Sequence, residues 1–233
     1  MITPSELISR ARSAGRAALD EPSGKALLAA YGIAVPRSVV VPGAAEASGV
    51  LAQLTGPFVA KVISADILHK SDAGGVRVNL PTAADVADAI RQMMRQSAIA
   101  ESRIDGFLVE EMAPAGQEMV IGGLHDAHFG PLVMVGLGGI FVEVLADVAF
   151  RICPITPLDA EEMLAQLKGA AILDGARGKK PLPKAAIIDT LLKMGGAGGL
   201  LMRHAADIKE TDINPLIVSE TGAVAVDARF ILT

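Results

Sequence analysis

Short apolar segments separated by turn residues make up most of the chain. Runs rich in β-branched residues predict strands, one within residues 33–41 and others over 58–63, 76–80, 106–112, 117–124, 131–135, 140–145, 216–218 and 223–226. Apolar positions at helical spacing predict helices over residues 5–19, 23–31, 44–54, 83–97, 157–168 and 184–194, with a short helix after the glycine run at 195–199. Because helices and strands do not alternate regularly, the pattern predicts an α+β or mixed α/β fold.

The composition narrows the class of protein. The chain has 233 residues and is 51% hydrophobic, which allows one large domain or two lobes. A net charge of -5 with 3% aromatic residues argues against a nucleic-acid binder. The longest apolar run, residues 131–145, is too short and too interrupted by glycine to span a bilayer. The N-terminus lacks the apolar core of a signal peptide, so we predict a cytoplasmic location without membrane partners.

One lysine interrupts the apolar strand at residues 58–63. A lysine inside such a strand is costly unless an anion meets it, and the pair Gly74-Gly75 farther along could let backbone N–H groups surround that anion. Lys61 therefore suggests a phosphate site. The alternative, a lysine that extends from an edge strand into solvent, remains open on this stretch alone.

The C-terminal hairpin suggests a metal site. If Val218 faces Ala223, the same register makes Asn214 face Asp227, with Cβ atoms about 4.5–5.5 Å apart. Amide and carboxylate oxygens suit Mg²⁺, which completes its shell with phosphate and water. Asp212, two residues before Asn214, could assist. A surface hairpin with polar ends remains the alternative, although a lysine site and a metal site together match what a Mg-ATP enzyme needs.

Several familiar motifs are missing from the sequence. There is no GxxxxGK[ST] and no GxGxxG, so a bound nucleotide requires another scaffold, and a dinucleotide or CoA would be held by another chain. The one cysteine, Cys153, lies in an apolar stretch and is interpreted as a core thiol rather than a nucleophile.

Five stretches in the same order resemble a known family: residues 25–38, 57–80, 106–122, 136–155 and 211–229. Together they are similar to the ATP-grasp β subunits of ADP-forming acyl-CoA synthetases and, more distantly, to the ATP-grasp part of succinyl-CoA synthetase. The resemblance implies an ATP-grasp fold with the nucleotide between two lobes. It divides the chain into an N-terminal helical extension (1–22), an N-terminal lobe (23–109) and a C-terminal lobe (110–233). Residues 195–210 depart from the family pattern, and His204 within them is interpreted as a surface or packing histidine.

The resemblance also assigns roles in ATP or ADP binding. Lys61 would hold phosphates beneath a mobile loop that contains Gly74 and Gly75. The adenine would lie against the stretch Glu110, Glu111 and Met112, and Glu118 would bind the ribose hydroxyls.

For phosphoryl transfer, the resemblance assigns Mg²⁺ to Asn214 and Asp227 and the γ-phosphate to Arg151. His69 would match a histidine that relays phosphate, although an imidazole that only bonds its own loop remains open. The reaction is acyl-CoA + ADP + Pi giving acid + CoA + ATP, and the reverse. The partner would be a CoA-binding α subunit with the primary phosphohistidine, in an α2β2 heterotetramer.

Two other functions remain compatible with these residues. One is a stand-alone ATP-grasp ligase that joins a carboxylate to an amine through an acyl phosphate. The other is an ATP-binding regulatory module of a larger synthetase or acyltransferase. A complete activity in the isolated chain would favour the first, and ATP binding without phosphate transfer would favour the second.

Overall fold

The chain forms two compact units. The computed structural model describes residues 2–67, 70–139, 142, 145–175 and 180–233. One unit contains Met1–Val35 and Pro114–Thr233, and the other is Pro36–Ala113. The predicted division groups the residues differently, because the first helices pack with the C-terminal part of the chain rather than forming an extension of their own.

The regular elements follow one another in mixed order. The helices within the described residues are α1 Pro4–Ser13, α2 Glu21–Ala30, α3 Ala47–Val50, α4 Ala83–Met93, α5 Ser97–Ala100, α6 Pro157–Gln166, α7 Lys184–Gly195 and α8 Leu200–Arg203. The strands are β1 Ser38–Val41, β2 Phe58–Ile63, β3 Val76–Leu80, β4 Gly106–Glu111, β5 Gln117–Asp126, β6 Gly130–Leu137, β7 Val148–Ile152, β8 Ile208–Ser219, β9 Gly222–Ala225 and β10 Ala228–Leu232.

The unit Pro36–Ala113 is built on an antiparallel sheet of four described strands in the order β1-β4-β2-β3. Every residue of β2 is buried. Because side chains alternate along a strand, Phe58, Ala60 and Val62 join the core, to which α4 contributes Val86 and Ile90. The opposite face of β2 therefore carries Lys61.

The other unit contains a sheet of six described strands, ordered β10-β8-β5-β6-β7, with β9 also paired to β8. Met119 and Ile121 of β5 belong to its core, together with buried residues of α2, α6 and α7. Alternation places Val120, Gly122 and Leu124 on the other face of the sheet, which we call the Gly122 face. One face of the sheet is thus covered by helices and forms the core, and the Gly122 face is the opposite one.

Most predicted elements are present, and the differences have local causes. Strands β2 and β3 have the predicted bounds, and α4 and α6 begin at the predicted residues, each behind a capping box. The predicted helix 5–19 ends at Ser13, where Gly15 adopts φ +67° and stops it. Strands β7 and β10 were not predicted, because their alternating residues are short runs beside charged positions. The strand predicted over 140–145 falls largely outside the described residues.

None of the helices that the structure describes is both long and apolar enough to cross a lipid bilayer.

A buried carboxylate fixes the segment that leads into β7. Asp147 is 2% exposed, and its two oxygens accept hydrogen bonds from the backbone N–H groups of Lys168 (2.7 Å) and Gly169 (2.9 Å). Hydrogen bonds to a charged acceptor are stronger than neutral ones. Asp147 therefore ties the chain before β7 to the turn that follows α6.

We expect Asp147→Ala to lower the free energy of unfolding by about 3 kcal/mol, because two backbone donors lose a charged acceptor. Urea denaturation measures this change. Asp174→Ala removes an exposed carboxylate from the same unit and should cost well under about 1 kcal/mol. An equal small loss in both variants would contradict the structural role of Asp147.

Candidate functional site

The lysine of β2 is buried against a carboxylate. Lys61 Nζ lies 2.7 Å from Glu110 Oε1, and the two side chains are 5% and 1% exposed. Lys61 pairs with Leu108 and Val59 with Glu110 in the β2–β4 ladder, so the charged residues are diagonal neighbours on one face. The alternative that Lys61 extends from an edge strand into solvent does not hold, because β2 is an interior strand and its lysine is buried. An ion pair holds the ammonium in place.

The loop between β2 and β3 is tightly bonded where it is described. Gly75 donates its N–H to the carbonyl oxygen of Lys70 (2.7 Å), and its own carbonyl accepts from Val62 (2.8 Å). A Cβ at Gly75 would lie 2.5 Å from Cγ1 of Val62, and Gly74 has φ +70°. Arg77 Nη1 donates to the carbonyl of Gly74 (2.9 Å). Both glycines are therefore required by geometry, which brings this part of the loop close to the Lys61 strand.

The end of β4 uses its side chains in different ways. Glu111 Oε1 accepts from the N–H of Thr55 (2.8 Å) and from Arg37 (3.2 Å). The N–H of Met112 donates to the carbonyl of Pro57 (2.9 Å), and its side chain is 42% exposed. The predicted adenine stretch thus contains one residue paired to Lys61, one that bonds its own unit and one exposed methionine next to the boundary of the unit.

The register of the C-terminal strands agrees with the sequence analysis. Val218 pairs with Ala223, and the same register continues through β10, where Ala228 pairs with Ile213. Between the two ladders the N–H of Asn214 donates to the carbonyl of Asp227 (3.2 Å). The predicted amide and carboxylate are therefore opposite each other.

Side-chain contacts distinguish Asp227 from Asp212. Oδ1 of Asp227 accepts from the N–H of Ala228 (2.8 Å). Asp212 instead pairs with Nε of Arg229 (2.8 Å). The assistance considered for Asp212 would require it to share its oxygens with this arginine.

Glu118 lies on the same face as Asn214. It belongs to β5 one residue before the core residue Met119, so its side chain joins the Gly122 face. Its carbonyl accepts from the N–H of Gly138 (2.8 Å), and a Cβ at Gly138 would lie 2.8 Å from that of Glu118. The glycine turn after β6 therefore packs closely against Glu118 and requires glycine at this position.

A shallow cavity continues along the Gly122 face from Asn214. It has a volume of about 370 Å³. Its polar side contains Asn214 with Glu210, Thr211, Asp212 and Arg229, and its apolar side contains Gly122, Gly123, Leu124, Leu132, Met134 and Phe150. Phe150 and the neighbouring Ile152 are 47% and 52% exposed. An exposed apolar surface beside a polar cluster is typical of a binding site.

Arg151 does not lie on this face. It is paired with Val133 of β6, a core residue, and its guanidinium donates to Gln166 (3.1 Å) and Glu162 (3.3 Å) of α6. Asn214 and Arg151 therefore project from opposite faces of the sheet. The assignment of the γ-phosphate to Arg151, which the resemblance implied, stays a prediction, and in this structure alternation along β7 directs the guanidinium toward α6.

Cys153 and His204 are buried residues with structural roles. Cys153 is buried, and this burial raises the pKa of its thiol to about 11, which fits a core residue. His204 is 7% exposed and packs edge-on against Tyr31 with ring centres 5.9 Å apart, so it is a packing histidine. His69 lies outside the described residues. Within the part of the chain that the structure describes, no three His, Cys, Asp or Glu side chains form a metal cluster.

Sequence reasoning missed two features of these sites. It assigned Glu110 to the adenine and did not identify it as the ion-pair partner of Lys61. The available signal was that an acid in an apolar strand needs a cation as much as Lys61 needs an anion. It also missed Arg229, which bridges Asp212 and Glu210, because β10 was not recognised as a strand.

The chain matches known proteins over nearly its whole length. The model of the ATP-grasp domain family matches residues 10–232. The β subunit of ADP-forming acetate–CoA ligase I from Pyrococcus furiosus is 42% identical, with 97% of each chain covered. The 4-hydroxybutyrate–CoA ligase (ADP-forming) of Nitrosopumilus maritimus is 36% identical over 93% of this chain and 31% of its own length.

A solved structure agrees with these matches. The dinucleotide-forming acetyl-coenzyme A synthetase 1 of Ca. Korarchaeum cryptofilum is 38% identical, with a TM-score of 0.85, over 99% of this chain and 100% of that one. That protein contains coenzyme A and Mg-AMPPCP, and its phosphohistidine segment points towards the nucleotide binding site. These matches confirm the family and the ATP-grasp fold expected from the five sequence stretches. The chain belongs to the ATP-grasp family, within the group that includes the β subunits of ADP-forming acyl-CoA ligases.

Proposed function

We propose that this chain is the nucleotide-binding subunit of an ADP-forming acyl-CoA synthetase. It transfers a phosphoryl group between ATP or ADP and a phosphohistidine, and this transfer is coupled to the formation or cleavage of an acyl-CoA. The single observation that carries the proposal is the arrangement of Glu118, Asn214 and Asp227: a carboxylate, an amide and a second carboxylate lie along one face of the same sheet. The similarity to acyl-CoA ligases supports the choice of reaction.

The donors at Asn214 and Asp227 fit Mg²⁺. Both are hard oxygen donors, and the backbone hydrogen bond between the two residues fixes their spacing. Two protein ligands are enough for an ion that shares its shell with phosphates and water. When bound, Mg²⁺ would offset negative charge on the phosphates. The contribution of the chain is to hold the two oxygens in place, while Glu118 farther along the face binds the ribose.

Lys61 supplies a positive charge for the nucleotide phosphates in this proposal. Its ammonium is kept in position by Glu110, so part of its desolvation is already offset before a ligand binds. Gly74 and Gly75 let the loop backbone pack close to the Lys61 strand. Adenine would contact the exposed Met112 at the end of β4.

The cavity beyond Asn214 is suited to the phosphoryl acceptor. Along β5 the Gly122 face runs from Glu118 past Asn214 to the apolar side chains around Phe150. A nucleotide with its ribose at Glu118 and its phosphates at Asn214 would direct the γ-phosphate toward this cavity. An acceptor imidazole would attack the γ-phosphorus as the bond to the β–γ bridging oxygen breaks, which releases ADP.

We infer that the acceptor comes in part from a second chain, a CoA-binding α subunit. His69 of this chain would relay the phosphoryl group to the histidine of that subunit. An α2β2 assembly and a cytoplasmic location, where nucleotide and CoA are available, complete the proposal. The carboxylic acid is expected to be selected mainly by the partner.

We expect Lys61→Met to weaken ATP binding much more than adenosine binding, since it removes the charge that meets the phosphates. It should also lower the free energy of unfolding by about 3–5 kcal/mol, because a buried carboxylate loses its ammonium. Calorimetric titration and urea denaturation measure the two effects. The double variant Lys61→Met with Glu110→Gln should recover part of the stability but not ATP affinity. Equal weakening of ATP and adenosine would count against a phosphate role.

We expect Asp227→Ala to abolish Mg-dependent nucleotide binding while the fold is retained, because one of the two protein oxygens is removed. Titration of Mg-ADP, compared with ADP in EDTA, measures the metal-dependent part. Asp174→Ala, an exposed aspartate of the same unit, is the matched control and should bind Mg-ADP as the wild type does. If Asp227→Ala bound Mg-ADP with wild-type affinity, the assignment of the metal site to Asp227 would be wrong.

We expect the purified chain to form no acyl-CoA from ATP, CoA and a panel of acids until a partner α subunit is added. With the partner and γ-labelled ATP, His69→Asn should keep Mg-ATP binding, lack an acid-labile label on this chain and lose acyl-CoA formation. Turnover by the chain alone would favour a stand-alone ligase. Full turnover by His69→Asn with the partner would show that the transfer does not need His69.

A further inference from the structure

A buried ion pair lies on helix α2. Lys25 Nζ is 3.0 Å from Glu21 Oε1, and the two side chains are 3% and 2% exposed. Neither residue is assigned to the nucleotide or metal site above. A buried ion pair is seldom more stabilising than apolar residues of the same volume. We therefore looked for a role of these two buried charges in α2 other than stabilising the fold.

The pair occupies the side of α2 that packs against the C-terminal strand. Residues three and four apart share one side of a helix, so Glu21, Gly24 and Lys25 lie together. A Cβ at Gly24 would be 3.2 Å from the ring of Phe230 and 3.3 Å from the carbonyl oxygen of Ala228. The glycine lets the backbone of α2 approach β10 closely, so the side of the helix that carries the ion pair faces the start of that strand.

The segment around α2 contacts the chain on both sides of Asp227. Before the aspartate, the N–H of Ala225 donates to the carbonyl of Ala34 (2.8 Å). After it, the N–H of Leu19 donates to the carbonyl of Phe230 (3.0 Å). Because Oδ1 of Asp227 accepts from the N–H of Ala228, a shift of Ala228 relative to α2 would also move the carboxylate.

We propose that the buried Glu21–Lys25 pair positions Asp227, the carboxylate of the Mg²⁺ site. The proposal rests on the proposed function, since it assigns a role toward that metal. The ion pair holds the first turns of α2 against Ala228 and thereby fixes the carboxylate opposite Asn214. Lys25 and Glu21 are positioning residues and do not contact the substrate.

The test measures metal-dependent binding in Lys25→Met, which keeps the length of the side chain and removes its charge. Mg-ADP affinity should fall about tenfold or more, the usual loss when a group that orients a metal ligand is replaced. ADP affinity in EDTA should stay within about twofold, and more Mg²⁺ should restore the Mg-ADP affinity. Amide hydrogen exchange at residues 225–228 should become faster.

The matched control is Lys193→Met. Lys193 also pairs with an acid four residues away, Asp189, and donates to the carbonyl of Gly32 at the other end of α2. Its replacement removes a helix ion pair from the same unit and should leave metal-dependent binding unchanged. A drop in Mg-ADP affinity as large as that of Lys25→Met would show a general loss of stability and overturn the proposal.

A second variant covers the case in which Lys25→Met does not fold. Glu21→Gln keeps the shape of the acid and removes its charge, and it should also weaken Mg-ADP selectively. Wild-type metal affinity in a folded Glu21→Gln or Lys25→Met protein overturns the positioning role alone. If the wild-type chain binds ADP equally with and without Mg²⁺, the proposed metal site fails, and the positioning role fails with it.

Discussion

The register of strand β8 is the constraint on which the unit of residues 1–35 and 114–233 depends. This strand pairs with β5 on one side and with β9 and β10 on the other, and one register relates Ser219 to Gly222 and Glu210 to Ile231. A slip of one residue would turn each side chain of β8 to the wrong face. Ile213 would leave the core, and Asn214 would enter it. The same pairing that packs the core therefore sets the amide opposite Asp227.

Each of the two units contains a buried ion pair, and the two pairs have similar distances and burial. Lys61 with Glu110 and Lys25 with Glu21 each place opposite charges within 3.0 Å in almost fully covered positions. Burying either charge alone would cost several kcal/mol, on the order of the whole stability of a domain. In each pair the carboxylate and the ammonium offset part of each other's desolvation. In our interpretation one presents a cation to phosphates and the other fixes a metal carboxylate.

Features that depend on local periodicity or on one short turn could be predicted from the sequence. The bounds of β2 and the pairing of Val218 with Ala223 could be predicted because alternation and turn length determine them. The direction of Arg151 could not, since it depends on which face of β7 the helix α6 covers. The partner of Lys61 was missed for a related reason: an offset between two strands far apart in sequence decides which residues are diagonal neighbours. Residues that meet through tertiary packing, such as Gly24 and Ala228, leave no local signal.

The packing of α2 against β10 has a consequence for the order of folding during synthesis. Arg12 donates a hydrogen bond to Thr233 across 221 residues of sequence, and residues 36–113, which form the other unit, are inserted in the sequence between the two segments of this one. The inserted unit has its own core and could fold while the ribosome is still extending the chain. The unit that contains Asn214 cannot fold before β10 has been synthesised, because β10 pairs with β8 and packs against α2. Contacts between residues so far apart in sequence also form slowly. A nascent chain would thus acquire its lysine site before its carboxylate site.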